Sequence, residues 1–474
     1  MNYGIFIGGS WIDTSEKIEV FNKYTKELLG TVGKPNKQQV EEAVQNNKEA
    51  FKRVKLTPHQ RSEILARMAD KLKEHKEELA LLLTRETGNT IRESLAEIDR
   101  CVFTFTACSE EAKRIVGEML PIQGMKGYEN KFGYTVRVPV GVVCAITPFN
   151  GPLNLASHKV APAIAAGNTV ILKPAPTTSL SAVRFVELLM ESGLPAGYLN
   201  LIFGDADVGT WLLQNPLINF YSFTGSPEVG KKIKQETGLR RVALELGNNS
   251  ATIVCSDADV DLAAELCARK AVWKAGQVCI SVQRVYVHES ILEGFINKAK
   301  EIMESLKVGN PEDMETDVGL MHTPEAADRI EQWIQEAVDN GAEVVSGYRR
   351  NDSQFYPTIL TNVKPDMKVV CKEIFAPVLS IIPFQKLEEV VHWVNDSEYG
   401  LQAGVFTNDI YTAHYLTEVI EVGGVNINET SNWRADIIPY GGVKNSGIGR
   451  EGPRYSIEEM SEIKVITYSL KLPR

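Results

Sequence analysis

At 474 residues, 43% hydrophobic and 24% charged, the chain has room for two or three cores and the balance of a soluble globular protein. A formal net charge of −10, with no dense lysine or arginine run, argues against a nucleic-acid partner. No run approaches about eighteen apolar residues, so neither a membrane span nor a membrane partner is expected.

The predicted elements begin with helices. Apolar residues at three- and four-residue spacing predict helices over about 38–54, 58–87 and 90–116, with Gly88-Asn89 as the break between the last two. From Gly133 the rhythm changes. Short β-branched runs at 142–146, 169–172, 199–203, 219–223 and 242–246 alternate with amphipathic stretches. That alternation predicts βαβ units and a mainly parallel sheet, hence an α/β fold. A second alternating block starts near Ala251, with strands at 252–255, 284–287 and 378–383 and helices around 259–273 and 291–306. Two such blocks predict a cleft between them. The segments 132–138 and 464–470 alternate like strands outside either block, and are expected to form a small edge sheet that pairs with another subunit.

The seven cysteines are Cys101, Cys108, Cys144, Cys255, Cys267, Cys279 and Cys371. Their number is odd and no Cys-x-x-Cys occurs, so neither a disulfide framework nor a metal site is expected, and a reducing cytoplasm fits best. The N-terminus, Met1-Asn2-Tyr3-Gly4-Ile5-Phe6, has neither a basic region nor a sustained apolar stretch, so no signal peptide is predicted.

Cys279 lies in Gly276-Gln277-Val278-Cys279-Ile280-Ser281, where the glycine permits close backbone approach. Glu245 ends the first block, and Cys279 lies early in the second, so both can face the cleft. A thiol and a carboxylate meeting there can form an acyl intermediate and then hydrolyse it. The bland readings are a buried small hydrophobe and a salt-bridged strand-end carboxylate. No Gly-x-Gly-x-x-Gly fingerprint occurs. Instead, Phe223-Thr224-Gly225-Ser226-Pro227 stands at a strand-to-helix junction. There Ser226 suits an N-cap, and the helix start offers amides to a pyrophosphate or merely stabilises the helix. Lys173 ends another predicted strand, where α/β sheets bind ligands; otherwise it is a solvated surface lysine.

Seven segments together resemble the aldehyde dehydrogenase superfamily, from about Ile5 to the C-terminus. They are Thr147-Pro148-Phe149-Asn150, Lys173-Pro174-Ala175, Phe223-Thr224-Gly225-Ser226, Glu245-Leu246-Gly247, Gly276-Gln277-Val278-Cys279, Glu373-Ile374-Phe375-Ala376-Pro377 and Pro439-Tyr440-Gly441-Gly442. The resemblance implies two Rossmann-like parallel-sheet domains and a small β oligomerisation arm. Residues 1–122 and 141–247 would form the cofactor-binding domain, 248–450 the catalytic domain, and 123–140 with 451–474 the arm. It implies a homodimer or homotetramer.

The resemblance also assigns roles. Cys279 is the nucleophile that forms a thiohemiacetal and then a thioester, with hydride passing to NAD or NADP. Asn150, with the backbone N–H of Cys279, holds the oxyanion. Glu245 activates the hydrolytic water, and Lys159 supports the oxyanion and cofactor side. Glu373 grips the nicotinamide ribose and Phe375 lines the same ring site. Lys173 meets the adenosine ribose and Ser226 the pyrophosphate; Pro176, Phe223, Gly225, Leu246 and Gly247 complete the cofactor groove. Two departures stand out. Many NAD-preferring relatives carry a glutamate where this chain has Pro176, so NAD is expected with NADP allowed. Gly247-Asn248-Asn249 replaces a second glycine, and asparagine is expected to keep the turn through its tolerance of positive φ.

Gly151, where many relatives have a bulky aromatic, is expected to widen the pocket or loosen its loop. The segments around 150–159 and 432–442 resemble a subgroup acting on short anionic aldehydes: lactaldehyde, non-phosphorylating glyceraldehyde-3-phosphate, phosphonoacetaldehyde and sulfolactaldehyde dehydrogenases. Arg434, Arg100 and His158 would then clamp a sulfonate, phosphate or phosphonate by charge-assisted hydrogen bonds. The alternative is that the arginines make structural ion pairs, for example with Asp436 or Glu97. Rival functions are a CoA-acylating semialdehyde dehydrogenase and a catalytically silent crystallin-like binding protein.

Overall fold

The computed structural model describes residues 1–470, so the last four residues of the expected arm (451–474) lie outside the described residues. Reciprocal capping starts three of the first helices. Asn36, Thr57 and Thr90 each accept an N–H from the third helical residue, whose own Gln39, Gln60 or Glu93 side chain bonds back to the cap N–H. These boxes begin α1 (Lys37–Arg53) and α2 (Pro58–Glu74) and, after α3 (Lys76–Thr87), α4 (Ile91–Ala112). The single helix expected over 58–87 is therefore two. His75, at φ −100° and ψ 22°, ends α2 and opens α3. Gly88 ends α3 in the left-handed region at φ 81°, at the expected break.

The main sheet has eight strands in the order Ser10–Ile12, Ile5–Ile7, Leu199–Leu201, Thr169–Lys173, Val142–Ile146, Phe220–Thr224, Arg241–Glu245, Gly447–Ile448. The middle five are parallel. The hairpin at its edge and a second one, Glu16–Phe21 with Leu28–Lys34, fall where the sequence reads only as helix-rich. The second sheet has seven strands and is parallel except for Glu343–Ser346 against Thr358–Thr361. The α/β expectation holds in both.

The third sheet pairs Ser461–Ser469 with Lys131–Pro139 antiparallel, from Ser461 opposite Pro139 to Ser469 opposite Lys131. Met119–Leu120 joins its other side, just ahead of the expected boundary at 123. Ile463, Val465 and Tyr468 are exposed on this ribbon.

The helix α5 (Pro152–Ala166) carries His158 and Lys159, is buried along nearly its whole length, and packs between the main sheet and α4. Apart from Asn154, Ser157, His158 and Lys159 it is apolar, as suits an internal helix. Gly151 at its cap offers no side chain, so the first amides need another acceptor. They find Glu97 of α4, whose Oε1 accepts Leu153 N–H at 3.0 Å and Asn154 N–H at 3.2 Å. A carboxylate at a helix start is also favoured by the helix dipole. No helix of the described residues is long and apolar enough to cross a membrane.

Candidate active site

The chain leading to Cys279 is held in an unusual conformation. Lys274, Ala275 and Gly276 all have positive φ, at 52°, 52° and 71°. For the two side-chain-bearing residues this costs on the order of 1–2 kcal/mol each. Glycine is required at 276: a Cβ there would lie 2.0 Å from the carbonyl oxygen of Ala376. The strain persists because α4 grips the turn. Lys274 donates its backbone N–H to Glu93 Oε1. Its buried ammonium reaches Glu97 Oε2 at 2.6 Å and Asn150 O at 2.8 Å. Glu97 therefore caps α5 with one oxygen and fixes the Cys279 turn with the other. Sequence reasoning assigned no role to Lys274 or Glu93.

Asn150 is drawn into the same turn, its side-chain amide donating to Gln277 O at 2.8 Å. One of its two amide hydrogens is used there. The Cys279 N–H donates to no group among the described residues. The thiol itself is 3.1 Å from the hydroxyl of Tyr440. Burial pushes it up to about 12, the Tyr440 hydrogen bond opposes this, and the negative charges of Glu373 and Glu245 add to the rise.

Glu245 ends its strand buried, and neither carboxylate oxygen has a hydrogen-bond partner. Burial and repulsion by Glu451 raise its carboxyl well above the ordinary range. Gly441 lies against it: a Cβ there would be 2.9 Å from Glu245 Oε1. Glu451 has the opposite fate. Burial resists its ionisation, but Lys159 at 3.0 Å and Arg434 at 3.3 Å, with His158 beyond, bring it down to about 2. The two carboxyls are driven in opposite directions, Glu245 upward and Glu451 downward.

His158, Arg100 and Arg434 do converge, but on partners of their own. Asp436 accepts from Arg100 at 2.6 and 3.0 Å and lies 2.9 Å from His158 Nε2. Burial opposes the charge on Asp436, yet these two hold it well below the usual carboxylate range. Burial and Arg434 lower His158 in turn, against the pull of Asp436 and Glu451. Arg434 turns chiefly to Glu451 rather than to Asp436, stacks 3.7 Å from the centroid of the Tyr440 ring, and keeps a buried Nε without a hydrogen-bond partner.

On the other side of the thiol, Cys279, Gly276, Glu373 and Phe375 line one small cavity. Glu373 accepts the N–H of Asn248 at 3.0 Å, and burial lifts it to about 7. Gly247 leaves the carboxylate its space, since a Cβ would be 2.6 Å from Glu373 Oε2. Phe375 is left-handed at φ 56° and meets Phe149 edge-on at 6.2 Å. The asparagine turn differs from expectation: neither Asn248 nor Asn249 has positive φ. They serve as hydrogen-bonding groups instead, Asn248 Nδ2 to Ser250 at 2.6 Å and Asn249 Nδ2 to Val370 O at 3.2 Å.

Further along the main sheet, Lys173 ends its strand 8% exposed, its carbonyl accepting Thr147 N–H and its ammonium without a hydrogen-bond partner among the described residues. Burial lowers it, against the pull of Asp205. Pro176 opens a single 3₁₀ turn just after it. Ser226 caps Pro227–Glu236 as its residue type suggested, its Oγ accepting Val229 N–H at 3.4 Å. Gly225 seats on the Phe223 ring, and Leu246 packs against Gly230. Among the described residues no group of three His, Cys, Asp or Glu side chains is placed to hold a metal ion.

Residues 11–466 match the model of the aldehyde dehydrogenase family. The chain is 50% identical over 469 residues to a 3-sulfolactaldehyde dehydrogenase of Priestia megaterium, covering 99% of this chain and 98% of that one. It is 40% identical over 473 residues to a lactaldehyde dehydrogenase of Methanococcus aeolicus, covering 98% and 100%. Among solved structures it is similar to NADP-dependent glyceraldehyde-3-phosphate dehydrogenase from Bacillus halodurans complexed with NADP. That likeness has a TM-score of 0.97 at 34% identity and covers 99% and 100% of the two chains.

Proposed function

The chain belongs to the aldehyde dehydrogenase family, and on that premise we propose that it oxidises a short anionic or hydroxylated aldehyde to its carboxylic acid with NAD(P). The observation that carries the reading is the shared cavity of Cys279 and Glu373, with the unpartnered Glu245 carboxylate within electrostatic reach of the same sulfur.

The residues present fit a dinucleotide. The Lys173 ammonium is buried without a hydrogen-bond partner among the described residues, and Ser226 caps the start of a helix. Glu373 keeps Oε2 in space that only Gly247 leaves clear. Lys173 and Ser226 would hold the adenosine ribose and pyrophosphate, and Glu373 with Phe375 the nicotinamide end. Phe223, Gly225, Leu246 and Gly247 line the groove between. The bound dinucleotide supplies the hydride acceptor. NAD is the favoured dinucleotide, but Pro176 offers no carboxylate to repel a 2′-phosphate, so NADP is not barred.

The chain's own residues do the rest. The Cys279 sulfur adds to the carbonyl carbon, giving a thiohemiacetal. The free Cys279 N–H and the second amide hydrogen of Asn150 receive the developing oxyanion; one such donor is worth on the order of 10²–10³ in rate. Once the adduct is a thioester, Glu245 takes a proton from water, which attacks the carbonyl and releases the acid with the thiol restored. The pair Lys159–Glu451 fixes the charge beside that base.

Substrate class is argued from the cluster of Arg434, Arg100 and His158, in which Arg434 Nε makes no hydrogen bond and lies 3.9 Å from Asp436. The relatives named for sulfolactaldehyde, lactaldehyde and glyceraldehyde-3-phosphate agree with this class. Residues 1–122 with 141–247 are assigned to the cofactor, 248–450 to catalysis, and 123–140 with 451–474 to an arm that pairs subunits as a homodimer or homotetramer. The test is a steady-state screen of small aldehydes bearing sulfonate, phosphate, phosphonate or carboxylate, with NAD and NADP, with and without CoA. Acid formation without CoA supports the proposal, and product that appears only as an acyl-CoA overturns it.

A further inference from the structure

Tyr440 Oη stands 3.1 Å from Cys279 Sγ, and the Arg434 guanidinium lies 3.7 Å from the centre of the same tyrosine ring. The three groups form a column from a cation, through an aromatic face, to the sulfur. In the resting state either the thiol or the phenol can donate across the 3.1 Å contact. Once the sulfur has lost its proton, only the phenol has a hydrogen to give. A hydrogen bond to an ionised acceptor is about twice as strong as a neutral one.

We propose that Tyr440 is a catalytic residue of this site: its hydroxyl donates to the Cys279 thiolate and holds it ready for attack, with Arg434 stacked on the ring to keep the phenol oriented. The assignment rests on the reading of Cys279 as nucleophile.

Three features support it. The Tyr440 backbone is fixed by two hydrogen bonds to Glu451, N–H to carbonyl at 3.0 Å and the reverse at 2.6 Å, so its ring does not wander. The ring is buried against Ile280 and Leu401, which leaves the hydroxyl one direction to face. The remaining charges near the sulfur, Glu245 and Glu373, both disfavour a thiolate, and Arg434 favours it from behind the ring. The phenol is itself held well above its ordinary range by burial and by Cys279, so it acts as a donor and not as the base.

The test compares wild type with Tyr440→Phe, which removes one oxygen and keeps the ring. Iodoacetamide alkylation of Cys279 is followed by mass mapping from about pH 6 to 10, along the rising limb of its rate–pH curve; the sulfur–carbon bond forms, iodide leaves, and the thiol proton goes to buffer. The expected result is a rate–pH curve displaced upward by about one unit, a roughly tenfold loss of alkylation at neutral pH. Activity of the variant should recover as pH rises, which a misfolded protein would not do. Superimposed curves with Cys279 still alkylated overturn the role of Tyr440 and leave the nucleophile reading standing. If Cys279 is not modified in wild type while other thiols are, the nucleophile reading falls and takes this one with it.

Discussion

The ammonium of Lys274 lies 2.6 Å from the carboxylate of Glu97, both side chains buried. This contact ties the turn before Cys279 to the helix that borders Asn150. Breaking a buried ion pair from one side leaves a charge without compensation. Lys274→Met should therefore cost roughly 3–5 kcal/mol of stability, measured by denaturant unfolding. It should also lower kcat while leaving the dinucleotide KM close to wild type, since Lys173 and Ser226 are untouched.

Glu245→Gln should separate the two halves of the reaction. Acylation of Cys279 would proceed and hydrolysis would stall, at a cost of about 10²–10⁴ in turnover. Intact-mass measurement after mixing with aldehyde and NAD(P) should find the acyl adduct on the variant and not on wild type.

The same variant carries a pH signature. The folded-state pKa of Glu245 is raised, so between the ordinary glutamate range and that raised value the folded protein binds the extra proton. Stability is then fully present below the unfolded pKa and falls as pH rises through the folded one. Removing the carboxyl should make Glu245→Gln gain stability relative to wild type at about pH 8 compared with about pH 5, read from melting temperatures.

Arg434→Ala should raise KM for an anionic aldehyde by roughly 10–100-fold, the worth of one charge-assisted hydrogen bond, and much less for a neutral aldehyde of equal length. Loss of Arg434 also disturbs Glu451 and Tyr440, so the ratio between the two aldehydes is the measurement. Equal increases for both would remove the anion clamp.

Pro176→Glu should raise the NAD-to-NADP ratio of kcat/KM by about tenfold, because a carboxylate there would repel a 2′-phosphate. An unchanged ratio would show that the residue after this strand does not read the ribose.

Local signals carried much of the architecture. Capping residues Thr57 and Thr90 and the left-handed Gly88 announce themselves in sequence because their partners are a few residues away. Cys279, Asn150 and Glu245 stood out through their motifs, and the fold draws Asn150 into the turn that leads to Cys279. What stayed hidden is long-range. Lys274 and Glu97 stand 177 positions apart, and no periodicity links them. Glu451 reads as an ordinary charge until Lys159, 292 positions earlier, is folded against it. Tyr440 was visible within Pro439-Tyr440-Gly441-Gly442, yet nothing local says that its hydroxyl reaches a sulfur. The break at His75 has neither proline nor glycine to mark it. Arg434 and Asp436 are near neighbours in sequence, but their main partners lie elsewhere, at Glu451 and at Arg100 with His158.

The left-handed turn at Lys274–Gly276 has a consequence for assembly of the molecule. Its conformation is unfavourable alone and is clasped by Glu93 and Glu97, which a ribosome would deliver long before residue 274. A detached piece spanning only 248–450 would keep Cys279 but lose the clasp. The local geometry around Cys279 thus arrives only when the two halves of the polypeptide dock, so this turn stays unset in any half-built chain.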